Sequence, residues 1–599
     1  DLDKAAENGQ TQAVTTVEAQ YVTSASAESV NPYVGKLITG LSISGVTAEQ
    51  QANLLPILTE KVGDAVSVDG VFKDVTNLGN TGYFSEVNPV FTSVPEGVKL
   101  DFAVTVNPVT TGVSFEGNTV YSSEVLTKFM DIQPGQVLNS VSVGQKVQGI
   151  NAAYARDGYM LAHVDGVRVD DQGVLHIHIV EGIVEDIIPA GNKKTRNKVI
   201  TREFVQKKGK PFNKFLVRRS VERVYNLGFF DDVNVRMLPG EQDPNNVIIE
   251  IDVLEHKTGT ITLGAGYSKS DGLMGIVEFG EDNFRGTGDK FKVHWEIGGK
   301  KKYKNYQISY LKPWIDSKGT SLGFSFFNRE DEYTDYNEDG NEVAEYNKKS
   351  RGFNISFGRQ TGEYTRDYLT LESRKDSYKW DDDDSSGFRY DKNAGKGTNW
   401  DNGSYNFASD NYVKNNFGRI NSVTWQKVYD SRDNIYEPTR GRRISYTTQW
   451  AGHGLGGDFD FYKFTAETRM YKKLGAKNVL AFRARAGFIQ GDAPYSQLFT
   501  LGGADSLRGY EDDQFRGKYM YNATLEFRFP IVKKVSGVLF TDIGDAWDAP
   551  NVTWYNSKKT FNYGVGAGVR ITTPIGPVKL DYGVGKHKNK FHFSFGTQF

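Results

Sequence analysis

A charged loop late in the chain contains the residues most able to form a directed ionic contact. The stretch TLGGADSLRGYEDDQFRG, residues 500–517, has six charged side chains and four glycines between two segments that alternate apolar and polar residues. Arg508 lies at its centre, between Leu507 and Gly509-Tyr510. A guanidinium is a planar fork of donors that matches a carboxylate, so such an arginine is either solvated or holds one fixed acidic partner. Solvation is the ordinary outcome for a loop arginine, and the surrounding elements decide between the two.

Patterns that carry catalytic or metal chemistry are weak in this sequence. The 599 residues include no cysteine, which removes thiolate nucleophiles, disulfides and Cys-ligated zinc. The acidic stretch DYNEDGNEVAE (335–345) begins like a calcium loop, but its glutamate falls one position early and no flanking helices are evident. His176 and His178 share a strand face and lack further ligands nearby in the sequence. We therefore predict that the protein is not an enzyme and has no cofactor and no metal site.

Composition narrows the class of protein. The formal net charge of -2, from 72 basic and 74 acidic residues, gives no indication of a nucleic-acid partner. No run of 18 apolar residues exists, which excludes a membrane-spanning helix. The excess of 64 glycines, 32 tyrosines and 37 phenylalanines suits a transmembrane β-barrel, in which only every second residue of a strand is apolar.

The first part of the chain combines a polar leader with a repeated α+β pattern. Residues 1–33 open on Asp1, which reads as a mature or trimmed end, and they have no periodic apolar face, so we predict a flexible leader. From residue 34 to 255 a β-α-α-β-β pattern recurs with a period of about 75 residues. Matching points are GVSFEGNTVYSSEVL (112–126) and VEDIIPAGNKKTRNKVI (184–200), each a strand, a Gly-Asn turn and a helix start. The predicted units are 34–108, 109–182 and 183–255.

Residues 256–599 have the periodicity of strands only. In RISYTTQW (443–450), KFTAETRM (463–470) and TLEFRF (524–529), charged or polar residues alternate with apolar ones. Charges on the inner face would be costly in a packed β-sandwich, and they are natural in a water-filled lumen with lipid outside. Sixteen such segments occur between residue 261 and residue 599, an even number as single-chain bacterial barrels have. The predicted fold is three α+β units followed by a 16-stranded antiparallel transmembrane β-barrel.

Several motifs resemble one superfamily of outer-membrane proteins, built of POTRA repeats and a barrel, which acts in assembly and transport. They are the hairpin TGTITLGAGYSKSDGLMGIVEFGEDNFRGTGDKF (258–291), the loop SLRGYEDDQFRG, and the late strands FTDIGDAW (540–547) and TPIGPVKLDYG (573–583). The third repeat, with VITREF and NLGFFDDV, is most similar to the barrel-proximal POTRA unit of BamA-like members. Well-known BamA proteins have five units, whereas the TamA-like branch has three, so the TamA-like branch is the next alternative.

The resemblance implies a role for the charged loop. Leu507, Arg508, Gly509 and Tyr510 would fold back into the lumen, and Arg508 would pair with an acid on the inner wall. Alternation in VKLDY (578–582) turns Lys579 and Asp581 inward, and Asp542 in VLFTD (538–542) falls on the face of Phe540. We therefore predict Asp542 and Asp581 as partners, and an internal brace as the function of the loop.

The seam between the first strand, about 260–268, and the last, 591–599, is the second candidate site. Its residues are Ile261, Leu263, Phe591, Phe593, Phe595, Gly596 and Phe599. Gly596 interrupts an aromatic face formed by Phe591, Phe593, Phe595 and Phe599, and glycine weakens a strand. One interpretation is ordinary barrel closure with a terminal aromatic signal. The resemblance implies the other, a lateral gate at which a client strand adds by its backbone.

The resemblance implies that the protein inserts other proteins into the outer membrane and that its repeat units lie in the periplasm. The expected partners are unfolded outer-membrane β-barrel clients, the lipid bilayer, and periplasmic accessory proteins or lipoproteins, but no nucleic acid. The units would capture clients, and the seam would insert them without covalent chemistry. The alternatives are a TamA-like assembly factor and a polypeptide secretion pore, in which clients cross the lumen.

Overall fold

The computed structural model describes residues 20–268, 272–298, 303–336, 339–340, 342–379, 389–390, 407–408, 414–434, 437–549, 558–573, 576–595 and 599. The chain divides into two compact units, Asp1–His256 and Lys257–Phe599. Within the described residues, no α-helix combines the length and the apolar character needed to cross a bilayer.

The described part of the first unit contains three copies of one small α+β arrangement. In each three-stranded sheet, the central strand runs parallel to the first strand and antiparallel to the other. The strands are β1 (Ile38–Ser44), β2 (Phe84–Val94), β3 (Gly97–Val106), β4 (Gly112–Glu116), β5 (His163–Val169), β6 (Val174–Val180), β7 (Val184–Ala190), β8 (Phe230–Pro239) and β9 (Val247–Glu255). The helices are α1 (Ala27–Val30), α2 (Ala48–Leu54), α3 (Val68–Gly79), α4 (Ser123–Met130), α5 (Ser140–Arg156), α6 (Asn197–Thr201) and α7 (Lys214–Tyr225).

Every one of these helices except α6 begins where a polar side chain accepts a hydrogen bond from a free backbone amide. Thr47 and Gln50 form a reciprocal capping box at α2, and Asn139 accepts from two backbone amides at the start of α5. Apolar residues at helical spacing, such as Val71 and Val75 in α3, then cover one face of their sheet, and each repeat has its own buried cluster. The repeats are therefore separate small cores.

Residues 20–33 differ from the sequence prediction. Val22 pairs in parallel with Glu86 on β2, with N–H···O distances of 2.9 and 3.0 Å to the backbones of Ser85 and Val87. Tyr33 stacks on Phe91 at 4.5 Å between ring centroids. The expectation of a flexible leader is wrong for this segment, because the free edge of β2 offers backbone partners that an aperiodic polar sequence can use. Residues 1–19 of the predicted leader lie outside the described residues.

A glutamate at the end of the central strand fixes the Gly-Asn turn in the second and third repeats. Glu181 accepts hydrogen bonds from the backbone N–H groups of Thr119 and Val120, at 2.8 and 2.9 Å. Glu255 accepts from the backbone N–H groups of Lys193 and Lys194, each at 2.9 Å, and from that of Thr195 at 2.6 Å. Burial of Glu255 opposes its ionisation, but these hydrogen bonds prevail and lower the pKa of its carboxyl group.

The second unit contains a 16-stranded antiparallel sheet with neighbours in chain order. Its strands are β10 (Gly259–Ser268), β11 (Gly272–Phe284), β12 (Asp289–Gly298), β13 (Tyr303–Lys312), β14 (Ser321–Tyr336), β15 (Glu342–Gln360), β16 (Thr365–Lys379), β19 (Gly418–Asp430), β20 (Gly441–Ala451), β21 (Phe461–Leu474), β22 (Asn478–Gly491), β25 (Tyr519–Val532), β26 (Val535–Trp547), β27 (Asn562–Thr573), β28 (Gly576–Val584) and β29 (Asn589–Phe595). Two short pairs lie outside it, β17 (Arg389–Tyr390) with β18 (Phe407–Ala408), and β23 (Phe499–Leu501) with β24 (Phe515–Gly517).

The two faces of this sheet have opposite chemistry. On β25, Asn522, Thr524, Glu526 and Arg528 are buried, whereas Leu525 between them is exposed. Polar residues thus face the interior and apolar residues face outward, the reverse of a water-soluble core and the pattern of a barrel in lipid. The architecture that the sequence predicts, three α+β units and sixteen antiparallel strands, is confirmed.

The carboxylate of Glu255 gives a testable prediction about the third repeat. Replacing Glu255 with Gln removes the charge that three backbone amides bind, and we expect a local destabilisation of about 1–2 kcal/mol at pH 7. Because the folded state lowers the pKa of Glu255, its stabilisation is complete above the unfolded value and is lost as the pH falls through the lowered one. Hydrogen–deuterium exchange of residues 247–255 measures this local loss of stability and its dependence on pH.

The matched control is Glu241→Gln in the exposed turn before β9. Unchanged exchange in the Glu255→Gln protein, at the level of this control, would contradict the structural role of the glutamate.

Candidate functional site

The loop between β22 and β25 is folded on its own apolar cluster inside the sheet. Leu501, Leu507, Tyr510 and Phe515 are all buried together with residues of the surrounding strands. Within the loop, the backbone N–H of Gly503 donates to the carbonyl of Leu507 at 3.1 Å. This tight turn, packed through Leu507, presents Arg508 to the inner wall of the last strands.

Arg508 is only 3% exposed, and three of its N–H groups donate hydrogen bonds to the carboxylate of Asp542 on β26. Its Nε donates to Oδ2 at 2.8 Å and its Nη2 to Oδ1 at 2.9 Å, which is the bidentate fork geometry. Its backbone N–H donates to the same Oδ2 at 3.0 Å. The guanidinium also lies 3.5 Å from the centre of the Phe540 ring, a cation–π contact.

Two further carboxylates complete the surroundings of Arg508. Its Nη1 donates to Glu526 on β25 at 2.9 Å and to Asp581 on β28 at 3.3 Å. Arg528 also binds Glu526, at 2.9 Å, and Arg570 binds Asp581, at 2.6 Å. We call six residues the Arg508 cluster: Arg508, Arg528, Arg570, Glu526, Asp542 and Asp581. Three guanidinium groups face three carboxylates, so the cluster contains no net charge although it is buried.

The two residues after Arg508 bind the remaining late strands. The N–H of Gly509 donates to Nε2 of His592 on β29 at 2.9 Å. The hydroxyl of Tyr510 donates to the carbonyl of Tyr563 on β27 at 2.8 Å. Residues 508–510 therefore form polar contacts with every one of the last five strands, β25 to β29.

Glycines on the facing strands make room for this approach. A side chain at Gly564 on β27 would overlap the carbonyl oxygen of Arg508, and one at Gly583 on β28 would overlap the peptide between Arg508 and Gly509. Gly509 itself has a φ of 99°, in the left-handed region where glycine has no steric penalty. Within the run GVGAGV (564–569), Gly564 thus contacts the loop, whereas Gly566 and Gly568 face residues of the neighbouring strands.

The structure brings Arg508 to both acids that the sequence indicates, Asp542 and Asp581. Sequence reasoning missed Glu526 and His592 as partners. The signal for both was available, because strand alternation turns Glu526 inward with Arg528 and places His592 between two outward phenylalanines. What no pattern shows is which inward residues meet, since that depends on how the loop is folded.

The seam strands are well exposed. Ile261 and Leu263 on β10 are 72% and 75% exposed, and Phe591 and Phe593 on β29 are each 60% exposed. Residues 259–265 are exposed on both faces, whereas an interior strand such as β25 alternates buried with more exposed residues. Among the described residues, no ladder pairs β10 with β29. Phe595 pairs with Val578 by its backbone, and Gly596 lies outside the described residues.

Phe599 does not share the aromatic face predicted for it, and that part of the seam prediction is wrong. Its ring centre lies 4.8 Å from the guanidinium carbons of both Arg483 and Arg528, and Arg528 donates to its carbonyl at 3.3 Å. Arg528 belongs to the inward face of β25. Residues 596–598 lie outside the described residues, and at residue 599 the two guanidinium groups attract the ring.

The fold and site together define an outer-membrane β-barrel protein with POTRA units and an internal arginine-containing loop. Residues 283–599 match the model of the Omp85 superfamily domain, and residues 108–182 and 183–256 match the POTRA model, described as a surface antigen variable number repeat. The chain belongs to the Omp85 superfamily. It is an outer-membrane protein whose POTRA units lie in the periplasm.

Individual relatives have low sequence identity to this chain. Outer membrane protein assembly factor BamA of Nitratidesulfovibrio vulgaris is 26% identical over 482 residues, which are 74% of this chain and 56% of that protein. The chain thus spans little more than half the length of this relative. Two solved structures share the fold, each over 82% of this chain: BamA from Haemophilus ducreyi lacking POTRA domains 1–3 (all of that chain, TM-score 0.52, 20% identity) and CdiB from Escherichia coli (88% of that chain, TM-score 0.58, 14% identity).

The Arg508 cluster predicts a large effect of a single substitution. Arg508→Ala leaves Asp542 and part of the charge of Glu526 and Asp581 buried without compensation, so we expect the barrel to lose about 3–5 kcal/mol of unfolding free energy. Urea unfolding in lipid, followed by electrophoretic mobility, measures this loss.

The matched control is Arg359→Ala, which breaks a half-exposed ion pair with Asp316 at 3.1 Å and costs less than about 1 kcal/mol. Wild-type stability and activity of the Arg508→Ala protein would contradict the brace.

The contact of Gly564 with the loop predicts a steric effect. Gly564→Ala places a methyl group against the carbonyl oxygen of Arg508, so the loop must shift, at a cost of about 1–3 kcal/mol. Limited proteolysis of residues 500–517 in lipid vesicles should become faster. In the control Gly275→Ala the added methyl makes only an ordinary contact, 3.6 Å from the carbonyl oxygen of Ile297. Equal proteolysis of the two variants would show that the loop does not depend on this close contact.

Proposed function

We propose that the protein is an assembly factor that folds β-barrel clients and inserts them into the outer membrane through the seam between β10 and β29. The relative in Nitratidesulfovibrio vulgaris is an outer membrane protein assembly factor, which supports this class of function. The exposed seam is the basis for proposing that clients insert between β10 and β29, and the contacts of the Arg508 loop support this mechanism.

The single observation that carries the proposal is the edge of β10. Residues 259–265 are exposed on both faces, and within the described residues no ladder covers their outer edge. In lipid, each backbone N–H or C=O without a hydrogen bond costs several kcal/mol. A client strand that pairs with this edge removes that cost for both chains, so the edge favours strand addition without any nucleotide or covalent step.

The loop supports a difference between the two sides of the seam. Residues 508–510 bind strands β25 to β29, on the side of the last strand. Within the described residues, none of their polar contacts reaches β10. The loop thus holds the last five strands together. On the other side of the seam, β10 is the strand that would accept a client.

The POTRA units supply edges for an earlier capture step. The edge of β2 in the first repeat is already used by residues 22–24 of the same chain. Within the described residues of the second and third repeats, no ladder covers the outer edges of β5 and β8. Extended client segments, or periplasmic accessory proteins, would therefore add to β5 or β8 in preference to β2.

The test uses liposomes that contain the purified protein and an unfolded small β-barrel client. We expect the client to fold faster than in empty liposomes, as measured by its heat-dependent electrophoretic mobility. The chain has no cysteine, so a disulfide between residue 261 or 263 and residue 591 or 593 is unique. Oxidation of a cross-linking pair should abolish the acceleration, and a reductant should restore it.

The matched control is a disulfide between positions 293 and 308, which already face each other on β12 and β13. This second cross-link should leave the acceleration intact. If the seam cross-link has no effect, insertion through the seam is contradicted. If the client folds no faster than in empty liposomes, and clients or ions instead cross through the lumen, the insertase proposal fails in favour of a secretion pore.

A further inference from the structure

A histidine on the last strand accepts the hydrogen bond that joins the loop to the seam. The N–H of Gly509 donates to Nε2 of His592 at 2.9 Å, and His592 is 5% exposed. An imidazole nitrogen accepts only when it has a free lone pair, so in this contact His592 is neutral and its hydrogen is on Nδ1. Protonation at Nε2 would set an N–H against the N–H of Gly509.

Charged groups surround this imidazole on every packed element. Asp581 lies directly opposite it on β28, Arg508 and Asp512 lie in the loop, and Lys590 precedes it on β29. Lys590 forms an ion pair with Glu511, which is the second polar link between the loop and β29. Of these two links, the one through His592 requires that the imidazole nitrogen be unprotonated.

We propose that His592 is the positioning residue that couples the Arg508 loop to the seam strand, and that its protonation breaks this hydrogen bond and loosens the attachment of β29 to the loop. The part that concerns client folding rests on the proposed function. The contacts of Arg508 and Tyr510 with β25 to β28 do not involve His592. Protonation of His592 therefore loosens β29 and leaves these other contacts without a direct change.

The chain allows a direct measurement of the seam, independent of activity. Nitroxide labels at Leu263→Cys and Phe593→Cys sit at exposed positions, and the absence of native cysteine makes them specific. In the full-length protein in liposomes, we expect one narrow distance distribution at pH 8 and a broader one at pH 5.5. The client folding rate should fall by about threefold to tenfold over the same pH change, the effect of losing one hydrogen bond.

Two substitutions separate the hydrogen bond from simple packing. His592→Gln keeps an acceptor oxygen that does not titrate, so its distance distribution should be the same at both pH values and its client folding rate should not fall on acidification. His592→Leu keeps the bulk and removes the acceptor, so its distribution should be broad at both. The control His587→Leu changes an exposed histidine in the β28–β29 turn and should follow the wild type.

Each outcome decides between the proposals. If His592→Gln shows the same pH dependence as the wild type, His592 is not the switch, whatever the effect of His592→Leu on folding. If the labels respond as expected but no client folding is accelerated at pH 8, the coupling holds and the insertase function fails. If the labels do not respond to pH in the wild-type protein, the coupling itself is overturned.

Discussion

Compensation of buried charge at Arg508 is the constraint on which the second unit depends. Glu526 and Asp581 lie on strands whose apolar faces meet lipid, so neither carboxylate can move toward bulk water without unfolding its strand. Arg528 and Arg570 reach these two carboxylates from the strands themselves, and the third guanidinium, that of Arg508, reaches them and Asp542 from a loop that re-enters the sheet. Gly564 on β27, the left-handed Gly509 and the buried Leu507 allow that approach.

Sequence reasoning reached the architecture because its signals are local. Alternation along each strand identifies which residues face inward, and the recurring Gly-Asn turns identify the repeats. It reached Asp542 and Asp581 by the same alternation, combined with a resemblance. It missed Glu526 and His592, because many residues face inward and the one loop conformation that selects among them is set by packing distant in sequence.

The two differences at the chain ends have the same cause. Residues 20–33 and Phe599 lack the periodicity of the elements beside them, so local rules predict a flexible segment for the first and a continued strand for the second. Each instead joins a surface formed by other parts of the chain: the edge of β2 for Val22, and the two guanidinium groups of Arg483 and Arg528 for Phe599. Such partners are visible only in three dimensions.

The order of contacts along the chain has a consequence for how this barrel itself forms. Arg508 precedes its partners Glu526, Asp542 and Asp581 by 18, 34 and 73 residues, and Gly509 precedes His592 by 83. All four of these partners of Arg508 and Gly509 lie later in the chain, and the farthest belongs to β29. During folding, the loop therefore has no complete docking surface until the final hairpin has formed. The loop can make all of these contacts only after the last strand is in the sheet. A chain truncated before β29 would retain a loop without its last anchor, and would differ from the full-length chain in its interior as well as at its edge.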